Sequence, residues 1–175
     1  MPSLTDQVAK YAAYHRDRRN IATHFVGVPM IVLAVAILLS RPTFEVAGLA
    51  LTPAWLLVAA TCAFYFSMSL GYGLVMTVLL ALITWAAGHV AAGSTALWLG
   101  AGVGLFVVGW AIQFIGHYYE GRKPAFVDDV VGLLIGPLFL AVEAAFAIGA
   151  SAELRRAVEA RVGPTHDGKT RRATA

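Results

Sequence analysis

Apolar residues run almost unbroken over Ile21 to Leu39, Pro53 to Leu70, Leu74 to Val90, Ala96 to Gly116 and Val130 to Gly149, separated by short polar or glycine-containing breaks. Each run is close to the roughly 20 residues an α-helix needs to cross a bilayer. The pattern therefore predicts spanning helices, since lipid offers no partner to an exposed backbone group. Asn20 is placed to cap the first helix, and Pro29 within it removes one backbone donor and frees the Phe25 carbonyl, which predicts a kink. Arg41 and Pro42 end that helix, and Pro53 suits the first turn of the second. Gly71, Tyr72 and Gly73 predict a tight turn into the third helix, and Gly93, Ser94 and Thr95 another into the fourth. Asp128 is the expected cap of the last segment.

The two ends are patterned differently. In residues 1–15, Leu4, Val8, Tyr11, Ala12 and Tyr14 alternate with polar positions, predicting a short amphipathic helix on the membrane surface with its tyrosines at headgroup depth. The charged run Arg16, Asp17, Arg18, Arg19 follows. Basic residues also precede a secretory signal, but Ile21 to Leu39 is about twice the length of a short signal core, so the segment reads as a retained span. The amino-terminal segment, the Arg122/Lys123 loop and the tail with Arg155, Arg156 and Arg161 are all basic, and the positive-inside rule assigns all three to the cytoplasmic face. Gly136, Pro137 and Glu143 in the last apolar segment then suit a broken or re-entrant helix, with a fifth full crossing as the competing topology.

Composition agrees. The chain has 175 residues, 59% hydrophobic and 13% charged, against roughly 25% charged in an average soluble domain. The expected class is an all-α polytopic membrane protein with four to five transmembrane segments. A single membrane-embedded domain is expected over residues 1–150, and a basic, disordered tail over 151–175. The net charge of +3 resides in residues flanking apolar spans, which serve orientation and argue against nucleic-acid binding. Cys62 is the single cysteine, so no internal disulfide and no CxxC site exists.

Chemistry concentrates at the end of the fourth span, WAIQFIGHYYEGRKPA from Trp110 to Ala125. On a helix Trp110, Gln113, His117 and Glu120 fall within about 80° of one another, so an amide, an imidazole and a carboxylate share a stripe. His15 and His24 lie near the start of the first span on the same face of the membrane. Nine residues apart, they could meet only if the chain turns between them, which the 16–19 run allows. Asn20 and His24 share a helical face. Imidazole suits iron, zinc or copper, and a histidine-rich site with open positions suits a non-haem Fe(II) oxygenase. Glu120 is either a ligand or the partner that orients His117. Glu143 is costly in an apolar segment unless paired, and Asp128 and the distant His89 are further candidates for a fourth ligand.

These residues carry a resemblance. Tyr14-His15, Asn20, His24 and Pro29, followed by Trp110, Gln113-Phe114, Gly116-His117, Glu120, Arg122, Pro124-Ala125, Asp128 and a Pro137-to-Glu143 helix, resemble the eukaryotic and bacterial family of membrane 2-hydroxy fatty acid dioxygenases over residues 11–146. The resemblance implies Fe(II)-dependent α-oxidation of a long-chain 2-hydroxy fatty acid by O₂ to the acid one carbon shorter with loss of CO₂, a step that in yeast serves phytosphingosine breakdown. It implies His15, His24 and His117 as iron ligands, with Glu120 counted among the catalytic residues. Arg122 and Lys123 are expected to meet the substrate carboxylate, with Gln113 and Asn20 as further substrate-binding candidates. The expected location is a bacterial inner membrane, or the endoplasmic reticulum for eukaryotic relatives. Two other classes fit the residues alone: a small transporter using Glu143 and Gln113, and a lipid-binding scaffold in which the polar stripe is packing glue.

Overall fold

The computed structural model describes residues 3–168. In chain order the elements are α1 (Leu4–Ala12), α2 (Arg18–Ser40), β1 (Phe44–Val46), β2 (Leu49–Leu51), α3 (Pro53–Met68), α4 (Leu70–Ala91), α5 (Thr95–Glu120), a 3₁₀ turn (Ala125–Val127), α6 (Gly132–Ala147) and α7 (Ala152–Val162). The protein is an all-α membrane protein. Among the described residues α2, α4 and α5 are long and apolar enough to cross a membrane, α3 is shorter, and α6 with α7 forms a pair bent by 113°. That bend bears out a last segment that is broken or re-entrant, but the break lies elsewhere than Pro137. Helix α6 runs through Gly136 and Pro137, and the chain turns at Gly149 and Ser151, both at positive φ.

Two compact units are formed, one by Met1–Val28 with Ala111–Ala175 and the other by Pro29–Trp110. In the second, α3 packs on α4, and Ala36, Ile37 and Ala87 form a small core with Leu33, Ile83 and Trp98 around it. The expected turn at Gly71 to Gly73 is displaced to Ser69, whose extended backbone ends α3 and whose hydroxyl caps α4 at Tyr72 N. Gly73 lies inside α4, where a Cβ would sit 2.5 Å from the Phe66 ring. The hairpin β1–β2, hidden in the hydropathy pattern, turns on Ala47 and Gly48, both at positive φ as a tight two-residue hairpin requires.

In the first unit α1 packs against α6 and α7, burying Val8, Ala9, Tyr11 and Ala12. Tyr11 is thus a core residue and not a headgroup anchor. Tyr14 donates to Asp128 at 2.7 Å, and Lys10 pairs with Asp129 at 2.5 Å, tying α1 to the loop before α6. Tyr14 thus occupies Asp128, and Asp129, besides pairing with Lys10, receives the Val131 N–H near the start of α6. The cap of α2 also differs from expectation: the helix starts at Arg18, Asp17 Oδ1 accepts the Arg19 N–H at 2.9 Å, and Asn20 lies within the first turn.

The tail departs most from the sequence expectation. Residues 152–162 form α7, and residues 163–168 are an ordered strap; only 169–175 of the expected disordered tail lie outside the described residues. The strap pairs with the segment after His15: His166 N donates to Arg16 O at 2.8 Å, Arg18 N donates to His166 O at 2.9 Å, and Arg16 Nη1 donates to Gly163 O at 3.0 Å. Backbone groups that the turn before α2 leaves unpaired find partners there, which is why a polar tail orders. Deleting residues 163–175 is expected to cost about 2–3 kcal/mol for these hydrogen bonds and to speed amide exchange at Arg18. Thermal melting and hydrogen exchange in detergent, against the full chain, check both.

Candidate metal centre

Helix α1 stops at Ala12, and two backbone hydrogen bonds, Tyr14 N to Tyr11 O and His15 N to Ala12 O, curl the chain away from the helix axis. Helix α2 begins three residues after His15. The short reversal is fixed from the end of α5. Glu120, 5% exposed, accepts three N–H groups on Oε2: from Arg16 N at 3.0 Å, Asp17 N at 2.8 Å and Asn20 Nδ2 at 3.1 Å. Asn20 Nδ2 also reaches Tyr14 O at 3.1 Å, closing the turn on itself. A carboxylate is the natural receptor for several donors converging on one point.

The reversal brings His15 against His24. Their Nε2 atoms are 3.0 Å apart, and the rings cross at 77°. Each Nδ1 is engaged by a backbone carbonyl, His15 with Tyr11 O at 2.8 Å and His24 with Asn20 O at 2.9 Å. A carbonyl only accepts, so each Nδ1 carries the hydrogen and each Nε2 presents a lone pair. Two lone pairs facing at this distance repel unless a cation lies against both. An imidazolium is a poor solution, because burial first, and then the neighbouring His24, hold the His15 imidazole well below the usual histidine range. Tyr11 stacks flat on His15 at 4.2 Å between ring centroids and Phe139 lies 5.5 Å away, supplying the apolar surroundings.

His117 completes the group. Over the last two turns or so of α5 the buried positions are Gln113, Gly116, His117 and Glu120, the stripe expected from 3.6-residue periodicity. The His117 ring lies 5.0 Å from that of His15 and 5.1 Å from that of His24, and its buried Nδ1 has no hydrogen-bond partner. One nitrogen from each histidine can be chosen so that all three lie within 4.8 Å. Two ligands at a right angle, each about 2.1 Å from an ion, would be about 3.0 Å apart. The donor set, its backbone-fixed tautomers and its spacing fit a bound metal ion. Close approach of α5 to α2 depends on Gly116, where a Cβ would stand 2.5 Å from Asn20 Oδ1 and collide with Thr23 Oγ1.

The other expected site residues fall into two groups. Asn20 and Gln113 are buried, each with a carboxamide oxygen that meets no donor. Arg122 and Lys123 are turned to structural contacts: Arg122 Nη1 donates to Ala13 O at 2.6 Å, and Lys123 pairs with Asp128 at 2.6 Å. Among the described residues the histidine group includes none of the fourth-ligand candidates. Asp128 and Glu120 are engaged as above, Glu143 pairs with Arg16 at 3.5 Å, and His89 belongs to the other compact unit, edge-on to Trp85. Sequence reasoning missed Tyr11 and Arg16. Arg16 is 7% exposed, with Nε donating to Ala12 O and His15 O, so it locks the backbone on both sides of the reversal. Its position in a charged run made it look like a surface anchor.

An all-α membrane protein with three buried histidines gathered from α2, α5 and the turn after α1 is the class that fold and site define. The family described as 2-hydroxy-palmitic acid dioxygenase Mpo1-like matches residues 1–148, and the chain belongs to that family. It is 31% identical over 159 residues to the 2-hydroxy-palmitic acid dioxygenase MPO1 of Saccharomyces cerevisiae, covering 89% of this chain and 87% of the yeast protein. No solved structure matches it.

Replacing Glu120 with Ala leaves buried donors without an acceptor and is expected to destabilise the protein by about 3–5 kcal/mol, whereas Glu120→Gln, which retains an acceptor oxygen, should lose less. Chemical denaturation of the two variants beside wild type checks the order. Gly116→Val is expected to melt earlier than wild type, since its side chain would meet Thr23 and Asn20, and thermal melting in detergent checks it.

Proposed function

We propose that the protein is an Fe(II)-dependent dioxygenase of the membrane that shortens long-chain 2-hydroxy fatty acids. The reaction takes a 2-hydroxy acid and O₂ to the fatty acid one carbon shorter, CO₂ and water. The observation that carries this reading is the pair of Nε2 lone pairs 3.0 Å apart, held by carbonyl-bound Nδ1 atoms, with a third buried imidazole beside them. The name of the yeast relative supports the substrate class and the use of O₂.

His15, His24 and His117 would hold the ion. Iron is favoured over zinc because the reaction is a redox one and zinc has no redox chemistry. When bound, Fe(II) supplies a centre that activates O₂ while leaving positions open to the hydroxyl and carboxylate of the substrate. The protein's own residues do the rest by positioning. Tyr11 and Phe139 pack on His15 and keep water from that side of the cluster. Glu120 and Arg16 hold the reversal that carries His15, so the imidazoles are preorganised before substrate arrives. The alkyl chain of the substrate suits a protein whose helices are exposed to lipid along most of their length, with entry from a bacterial inner membrane.

The test is O₂ uptake by the purified protein with 2-hydroxypalmitate, with and without Fe(II) restored anaerobically. Iron-dependent uptake with release of the C15 acid is the expected result. His15→Ala, His24→Ala and His117→Ala should each lose at least about 100-fold in uptake together with the bound iron. Wild-type protein that retains iron but consumes no O₂ with any 2-hydroxy acid would overturn the proposal. So would variants that melt earlier yet keep wild-type iron content and uptake.

A further inference from the structure

Gln113 sits one helical turn before His117 on the buried stripe of α5 and is 4% exposed, yet its Oε1 receives no hydrogen bond. It is not an isolated lapse. Asn20 Oδ1 and His117 Nδ1, on the same α2 and α5 segments, are also buried without a partner. A buried acceptor left unpaired costs about 1–3 kcal/mol, so a cluster of them calls for hydrogens brought by a bound ligand or by ordered water.

The chemistry of the missing ligand can be read from this. A carboxylate offers only acceptors and would add to the surplus. A metal ion held by the imidazoles brings no hydrogen, and it could satisfy a carboxamide oxygen only by coordinating it. An alcohol offers an O–H, and on the α-carbon of an acyl chain it lies next to the carboxylate. Asn20 is less suited to meet it, because its Oδ1 faces Gly116 closely enough that no Cβ would fit and its Nδ2 is committed to Glu120 and Tyr14 O. Among the described residues Gln113 Oε1 meets no donor, and Gln113 lies a turn from a histidine of the cluster.

Resting on the dioxygenase reading above, we propose that Gln113 Oε1 accepts the hydrogen of the substrate's 2-hydroxyl group and is the residue that selects 2-hydroxy acids over their unsubstituted counterparts. Selection by a buried acceptor is steep, because an analogue without the O–H leaves the acceptor desolvated and unpaired. Gln113 is a specificity-determining residue in this account and carries no proton in the reaction.

The experiment is anaerobic calorimetric binding to the Fe(II)-loaded protein of 2-hydroxypalmitate, 2-methoxypalmitate and palmitate, with iron content measured for every sample. The methoxy acid keeps the oxygen on the α-carbon and loses the O–H. Wild type is expected to prefer the hydroxy acid to the methoxy acid by about 10- to 100-fold, the range for one buried hydrogen bond. Gln113→Leu should bring the hydroxy acid together with the methoxy acid and palmitate while leaving iron content near wild type, and Gln113→Glu, which keeps an acceptor, should restore part of the preference. If Gln113→Leu does not fold, Gln113→Met carries the same comparison. An unchanged preference in the Leu or Met variant, or a wild type that binds both acids equally, overturns the role of Gln113 and leaves the dioxygenase reading intact. Wild type that binds none of the three acids overturns both.

Discussion

One carboxylate oxygen, Glu120 Oε2, holds the first unit's chemistry in place. It is the last residue of α5, and it receives N–H groups from the turn that precedes α2, more than a hundred residues earlier in the chain. The Arg16 and Asp17 amides lie just before α2, where the backbone offers them no helical carbonyl, so the anion satisfies what the backbone cannot. The direct result is that His15, one residue before the first of them, is fixed relative to α5 and therefore to His117. Gly121 at positive φ then ends α5 sharply and lets Arg122 fold back to the Ala13 carbonyl, so the same turn is gripped from a second point.

Around that junction the protein buries an unusual polar load for a chain so apolar. His15, Arg16, Asp17, Asn20, His24, Gln113, His117 and Glu120 are all at most 7% exposed. Such groups are tolerated when they satisfy one another. Arg16 spans Ala12 O, His15 O and Gly163 O and faces Glu143, and the Arg19 guanidinium holds the Asp17 carboxyl below the usual carboxylate range. The transporter role considered for Glu143 loses its appeal here, since the carboxylate faces a fixed guanidinium and α6 is unbroken beside it. The groups that remain unsatisfied are informative because their neighbours are so well paired. Of these, Gln113 Oε1 and His117 Nδ1 lie on the α5 stripe and Asn20 Oδ1 lies on α2 beside it, while Arg16 Nη2 makes only the 3.5 Å ion pair with Glu143.

Metal-binding histidines commonly have the second ring nitrogen fixed by a carboxylate or a backbone carbonyl. Here two of the three use the carbonyl four residues before them, Tyr11 for His15 and Asn20 for His24. This economy spares Glu120 for the backbone of the turn, where the sequence had suggested it for His117. It also explains why Tyr11 matters twice, through its carbonyl and through the ring stacked on His15.

The amino-acid sequence alone determined the membrane class, most helix extents, the α5 stripe of Gln113, His117 and Glu120, the identity of the three histidines and the family. These follow from apolar length, helical periodicity and residue type, which are local properties of the chain. It placed Tyr11 at headgroup depth and saw Arg16 only as part of a charged run, put a turn at Gly71 to Gly73 that lies instead at Ser69, expected a break near Gly136 and Pro137 where α6 is continuous, and read residues 163–168 as part of a loose tail. Each error concerned a group whose partner is distant in sequence or a break set by capping, which residue type does not announce. Only the tertiary structure decided which nitrogens of His15 and His24 face each other, that Glu120 serves the Arg16–Asn20 turn, and that residues 163–168 close over it. Those outcomes depend on buried donors meeting acceptors from the other end of the chain, and that pairing exists only once the chain has folded.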